Sequence, residues 1–248
     1  MSSENDAFVP EVQEVLHGRR GSAARRYALV VLGEASWGRL LLYELLTSLL
    51  GSCPGALGLL LRGKLYRPLF RSLGRGVMIG RNVTFRGPSR ISLGDGVCID
   101  DNVVIDARGP QAHVSIGAGA FIGRNTVVRC RGQSLSIGEE SDIGCHCLVA
   151  TDSQLEIGRD VLLAAYTYIA AGGLRRYADK TRPIKTQGFD SKGGVRIGDG
   201  CWIGAFTIVM DGVVIGPGTV IGAHSMVNKP IPEMAVAWGV PATVQKMR

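Results

Sequence analysis

The chain has 248 residues, 46% of them apolar, and 28 Lys and Arg against 21 Asp and Glu give a net charge of +7. That length allows one large domain or two small ones, and 35 Gly with only 6 Phe point to a core of Ile and Val layers rather than aromatics. The charge excess suits an anionic membrane face, a phosphate-rich cofactor or nucleic acid alike, and chooses none of them. Six Cys at irregular spacing, with no cleavable signal sequence, argue against a disulfide framework and for a reducing, cytoplasmic compartment. No stretch has the long glycine-free apolar run of a spanning helix. There is no Gly-x-x-x-x-Gly-Lys-Ser/Thr phosphate loop and no aromatic-basic platform, so no nucleic-acid partner is expected.

Residues 1–26 are polar and read as a mobile basic tail that ends in Arg19, Arg20, Arg25 and Arg26. This cluster is either a solvated arm or a contact for acidic lipid head groups. Residues 27–76 change character. Leucines crowd 40–46 and 49–50, the stretch Gly51-Ser52-Cys53-Pro54-Gly55 breaks the run, and Ala56 to Leu61 resume it before Arg62, Lys64, Arg67 and Arg71. Each half is too short to span a bilayer. Two amphipathic helices around a Gly-Pro elbow fit either a membrane-surface anchor or a pair packed on the rest of the protein.

From residue 77 to 248 a branched aliphatic followed by Gly returns repeatedly, as at Ile79-Gly80, Ile116-Gly117, Ile122-Gly123, Ile143-Gly144, Ile197-Gly198 and Ile221-Gly222. From Ile197 the step is six without a break: Ile203, Val209, Ile215, Ile221, Val227. Six fits neither the 3.6 period of a helix nor the 2 of a lone strand. It fits one side of a three-sided coil in which ~18 residues complete a turn. The aliphatic points inward, and small residues such as Thr126, Cys147, Thr167, Cys201, Thr207, Thr219 and Ser225 fill the space beside it. Rungs are expected to start near Ile79, Leu93, Ile116, Ile137, Ile157, Ile197 and Ile215. Insertions near Gly109-Pro110 and Gly132-Gln133 belong at corners, and the long polar loop at 170–194 is the kind of excursion that serves function. Three residues beyond each aliphatic lies Asn82, Asn102, Asn125, His146, Tyr166, Phe206 or His224, a set expected to stack along one or two corners.

These motifs, from about Gly74 to Val244, resemble the hexapeptide-repeat acyltransferases, in particular their sugar O-acetyltransferase-like branch. The resemblance implies a mainly β fold, a left-handed parallel β-helix of about seven rungs behind the N-terminal α-helical segment. It also implies a homotrimer that moves an acyl group from acetyl-CoA to a hydroxyl of a saccharide held between subunits. The leucine hairpin would suit a lipid-linked surface-polysaccharide intermediate as acceptor, handled peripherally on the cytoplasmic face of the membrane.

A thioester needs no enzyme nucleophile. It needs a base for the acceptor hydroxyl and donors for the tetrahedral oxyanion. In relatives a histidine follows Gly-Gly-X on the long loop; here the run Gly172-Gly173-Leu174 leads to Arg175, which stays protonated and cannot be the base. His146 is the substitute candidate, with Arg175 binding an anionic acceptor or steadying the oxyanion, and Tyr166, Arg176 and Tyr177 facing the acceptor. The family's cofactor segment matches better. Trp202, Gly204, Ala205 and Ala223 correspond to the pantetheine channel and Lys229 to the lysine that meets the nucleotide phosphates. No metal is expected: Cys145 and Cys147 flank His146, but alternate strand residues point to opposite faces. A second reading stays open, a non-catalytic hexapeptide-repeat trimer acting as an assembly or binding partner.

Overall fold

A computed structural model describes residues 22–109 and 111–248. The tail reading, with Arg19 and Arg20, and Pro110 lie outside the described residues. Arg25 and Arg26 belong to a helix, α1 (Ala23–Leu32), which starts inside the stretch assigned to the tail. Ser22 sets that start by accepting from Arg25 N, and Gly33, left-handed at φ 70°, ends it. Two further helices follow, α2 (Trp37–Leu50) and α3 (Gly55–Leu65), separated by the expected Gly-Pro elbow.

The rest of the described chain winds into a parallel β-solenoid with three faces. The first carries the inward ladder Leu73, Leu93, Ile116, Ile137, Ile157, Ile197, Ile215. The second carries Ile79, Ile99, Ile122, Ile143, Leu163, Ile203, Ile221, and the third Phe85, Ile105, Val128, Val149, Ile169, Val209, Val227. The first rung therefore opens at Leu73, six residues before the expected Ile79, which lies on the second face. All of these side chains are within a few per cent of full burial and carry no polar group that needs a partner, so the column is a continuous apolar core.

Passage from first to second face, and from second to third, takes six residues in every rung. Only the return to the first face varies, from four residues (Val227 to Ile231) to 28 (Ile169 to Ile197). The first two corners are fixed by a left-handed residue in each rung. The first corner uses Gly76, Gly96, Gly119, Glu140, Asp160, Gly200, Gly218 and Met234; the second uses Asn82, Asn102, Asn125, His146, Tyr166, Phe206 and His224. The small residues singled out from sequence are buried, and their hydroxyls close the corner carbonyls: Thr126 Oγ1 donates to Gly144 O at 2.7 Å and Thr219 Oγ1 to Pro232 O at 2.7 Å.

Both ends of the column are covered. On each face of the first rung one edge carbonyl is taken by a side chain from the helical segment: Arg67 Nη2 donates to Leu73 O (3.1 Å), Arg62 Nε to Ile79 O (2.8 Å) and Tyr43 Oη to Phe85 O (2.9 Å). Arg62 is only 2% exposed; its Nη1 also donates to Leu50 O and Cys53 O at the end of α2. Tyr66 and Phe70 pack edge-on against Phe85. Arg108 ties α1 to the coil by pairing with Asp106 and donating to Val30 O. At the far end Ala235–Gly239 and Ala242–Met247 form an antiparallel hairpin that extends the second face.

Arg62→Ala leaves the Ile79 and Cys53 carbonyls without a donor, at about 1–3 kcal/mol, while Leu50 O keeps its bond from Cys53 N. Hydrogen exchange is expected to speed up in 37–65 while amides in 195–227 keep their protection; uniform loss across the coil would contradict this anchoring role.

Candidate functional site

The second corner is the most unusual part of the surface. Asn tolerates the left-handed region because its short side chain bonds locally, but Tyr166 and Phe206 at φ 61° and 58° carry a strain of about 1–2 kcal/mol each. Stacking offsets it. The rings of His146, Tyr166, Phe206 and His224 lie nearly parallel, with centroids 4.9, 4.8 and 4.9 Å apart, so each rung's ring covers the next. Asn125 continues the row, its Nδ2 lying 3.2 Å from His146 Nε2. An amide nitrogen can only donate, so in this orientation Nε2 accepts and the proton of the neutral imidazole sits on Nδ1. Turned over, the Asn125 amide would offer its oxygen to Nε2–H and leave Nδ1 as the acceptor. Beside His146, Cys147 points inward and burial pushes its thiol up to about 11, which keeps it an inert filler.

Trp202 stands on the outer side of the second face, half exposed, in register with Leu162 on one side and Val220 on the other. One rung earlier than Leu162 the same ladder holds Asp142, whose carboxyl burial pushes up. Gly204 follows Trp202 at a point where a Cβ would come within 2.4 Å of Ala223 N, so the two rungs touch backbone to backbone there. Ala205 and Ala223 leave the corner low, with Ala223 exposed. Lys229 lies at the third corner. Met226, stacked on Ile208 of the rung before, is between them, so a thin ligand touching both Ala223 and Lys229 must cross the outer side of the third face.

The excursion leaves from the third corner and is more ordered than a loop. Leu174–Arg175 pairs antiparallel with Phe189–Asp190, and Ile184–Thr186 makes a short 3-10 turn. Gln187, buried within it, donates to Asp179 O (2.7 Å) and Arg182 O (2.9 Å) and accepts from Asp179 N (3.1 Å). Asp211 holds the returning strand to the coil by accepting from the backbone N–H groups of Lys192 and Gly194. Between the hairpin and the coil lies a cavity of about 870 Å³ whose lining includes Arg175, Arg176, Tyr177, Lys192, Met210 and Met226. Arg175 lies over the Phe189 ring at 4.4 Å and donates to Lys185 O; Arg176 pairs with Asp190 at 2.6 Å.

Arg175, Arg176 and Tyr177 thus meet around one cavity. His146 and Tyr166 meet on the second corner, beside Ala205 and Ala223. A single chain does not bring the two groups together: a full face separates His146 from the corner that launches the hairpin. Sequence reasoning missed Gln187 and Asp211, which shape the cavity, and Asp142. Only Asp211 left a trace, as a carboxylate where the regular rungs run directly into the next hexad.

Residues 194–229 match the family model described as bacterial transferase hexapeptide (six repeats). That match covers 36 of the 248 residues and falls within the last rungs of the coil. A probable acetyltransferase of Mycobacterium tuberculosis is 41% identical over 115 residues, which are 46% of this chain and 38% of that protein. The galactoside O-acetyltransferase of Escherichia coli is 31% identical over 113 residues, 46% of this chain and 54% of that enzyme. The matched part of this chain spans 38% and 54% of the length of those two curated relatives. The polySia specific acetyltransferase NeuO superposes with a TM-score of 0.56 at 23% identity, over 70% of this chain and 80% of NeuO, which establishes the left-handed β-helix. A variant of AntD, an N-acyltransferase from Bacillus cereus in complex with dTDP-4-amino-4,6-dideoxyglucose and coenzyme A, superposes at 0.50 with 26% identity, covering 75% and 88%.

Asp211→Ala removes both backbone bonds at the foot of the hairpin. Trypsin is expected to cut at Arg176, Lys180 or Lys185 roughly tenfold faster than in the parent, by about 1–2 kcal/mol of easier opening. Unchanged cleavage would mean that the hairpin is held elsewhere.

Proposed function

We propose that the protein transfers an acyl group, acetyl in the simplest case, from coenzyme A to a hydroxyl of a saccharide, in a cleft between neighbouring copies of a homotrimer. The observation that carries this reading is the groove at the second corner, where Gly204, Ala205 and Ala223 keep the surface low beside the exposed Trp202 indole, with Lys229 beyond Met226. A pantetheine arm needs a narrow slot lined by small residues, and its nucleotide end needs a cation. The matched segment 194–229 includes all five of these residues. The acetyltransferase relatives and the coenzyme A complex of AntD support the donor, and the galactoside enzyme supports a sugar hydroxyl as acceptor.

In this reading the acceptor hydroxyl loses its proton to His146, the hydroxyl oxygen attacks the thioester carbonyl, and the thiolate of coenzyme A leaves and is reprotonated. Asn125 decides which imidazole nitrogen is available. Arg175, Arg176 and Tyr177 reach the reaction from the hairpin of an adjoining copy, where a guanidinium can steady the oxyanion or an anionic acceptor. A donor drawn from coenzyme A sets the reaction on the cytoplasmic side, and a lipid-linked saccharide is the acceptor that the leucine-rich N-terminal segment would serve.

A second reading, a non-catalytic trimer that binds a partner, is favoured by two observations. Asn125 Nδ2 engages His146 Nε2, and Arg175 stands where a base would be expected.

Calorimetry with acetyl-CoA tests the donor: micromolar binding is expected, and Ala223→Trp should weaken it at least tenfold by filling the slot. No measurable binding by the parent would remove the acyl-transfer reading. Where turnover is found, His146→Ala should lower it about 10²–10⁴-fold with acetyl-CoA affinity nearly unchanged; a variant as active as the parent would move the base elsewhere.

A further inference from the structure

The helical cap has two apolar sides, and only one is used. On its inner side Leu40, Tyr43, Tyr66 and Phe70 close the end of the coil's core. On its outer side Trp37, Leu41, Leu45 and Leu49 recur every four residues along α2, which places them in one row. Leu41 is 70% exposed and Leu49 67%. The neighbouring α3 adds Leu57 and Leu60, both exposed, with Lys64 on the same face at the i+7 position from Leu57. A helix that is apolar nearly all round, in a water-facing position, is unpartnered in a single chain.

Charge identifies what covers it. Residues 22–76 hold eight Lys and Arg against two Asp and Glu, so most of the chain's net charge of +7 sits on the cap. Both acids are already engaged: Glu34 accepts from Arg39, and Glu44 accepts from Tyr27 Oη. The row on α2 carries no charge, whereas Lys64, Arg67, Arg71 and Arg75 line the route from α3 into the first rung and are exposed. A protein partner would have to bring an acidic rim to match this surface. An anionic bilayer supplies both requirements at once, an apolar interior for the leucines and a negative head-group plane for the cations. Among the described residues no helix is long and apolar enough to cross a membrane, so the helices lie along the surface.

We propose that α2 and α3 form an interfacial anchor that seats the Trp37–Leu41–Leu45–Leu49 row in the leaflet of an anionic membrane, with the coil standing off the surface. This does not depend on acyl transfer, since a chain that binds no coenzyme A would still dock.

Flotation of the full chain with vesicles of phosphatidylcholine and 30% phosphatidylserine tests it. Binding is expected at low salt, at least tenfold weaker on pure phosphatidylcholine and severalfold weaker in 0.5 M NaCl. Leu41→Glu combined with Leu45→Glu should abolish flotation while leaving the melting temperature near that of the parent, because both side chains point outward. Lys64→Glu with Arg71→Glu, which leaves the apolar row intact, should lose binding severalfold and lose its salt dependence. A parent that stays with the soluble fraction, or either double variant floating like the parent, would overturn the proposal. So would a parent that does not float and whose oligomer falls apart in the leucine variant, since a second copy would then be the occupant. Calorimetry with acetyl-CoA on the same preparations keeps this outcome separate from the acyl-transfer reading.

Discussion

At two of its three corners the coil obliges the chain to turn through the left-handed backbone region once per rung, and the rest of the molecule is arranged around that obligation. The six-residue step, the stacking of aliphatics and the in-register ladders all follow from corners that repeat without variation. Glycine meets the requirement at most rungs of the first corner. At the second corner asparagine, histidine and aromatic residues meet it, and they do so because a neighbour of like shape lies one rung away. The conformational cost is thus shared along a row, and replacing one ring exposes the face of the next.

The third corner does not repeat this turn in every rung, and it is where the chain departs from its repeat. Each insertion lies there, including the 28-residue interval that holds the hairpin. The division of labour is physical: the strict corners fix the frame, and the permissive corner carries the insertions. The proposed site uses both, with the ring row and the low slot on the second corner, the hairpin on the third, and an outer face of Ile208 and Met226 between them.

Much of this was legible in the residues because a period is written in the chain itself. The rung positions from Leu93 onward, the buried Thr and Cys fillers and the stacked column from Asn82 to His224 could be read by counting. What counting could not give was which corner a residue occupies when a rung has been lengthened. His146 and Arg175 are 29 residues apart and a face lies between them, but the sequence shows only the interval. The start of α1 was hidden for another reason: its cap is a single Ser22 in a polar run, and its packing partner is Arg108, far along the chain. The hairpin was hidden likewise, since Gln187 and Asp211 act through backbone groups distant in sequence.

The three carbonyls of the first rung, one on each face and each already bonded to Arg67, Arg62 or Tyr43, bear on what this molecule does not become. An unsheathed solenoid is its own template, because its last turn offers the hydrogen-bonding pattern that its first turn seeks. Here one terminus of the ladder is sealed by helices and the other by an antiparallel hairpin, so coils cannot thread onto one another into a filament. The same side chains that hold the helices in place therefore also keep each coil a discrete particle.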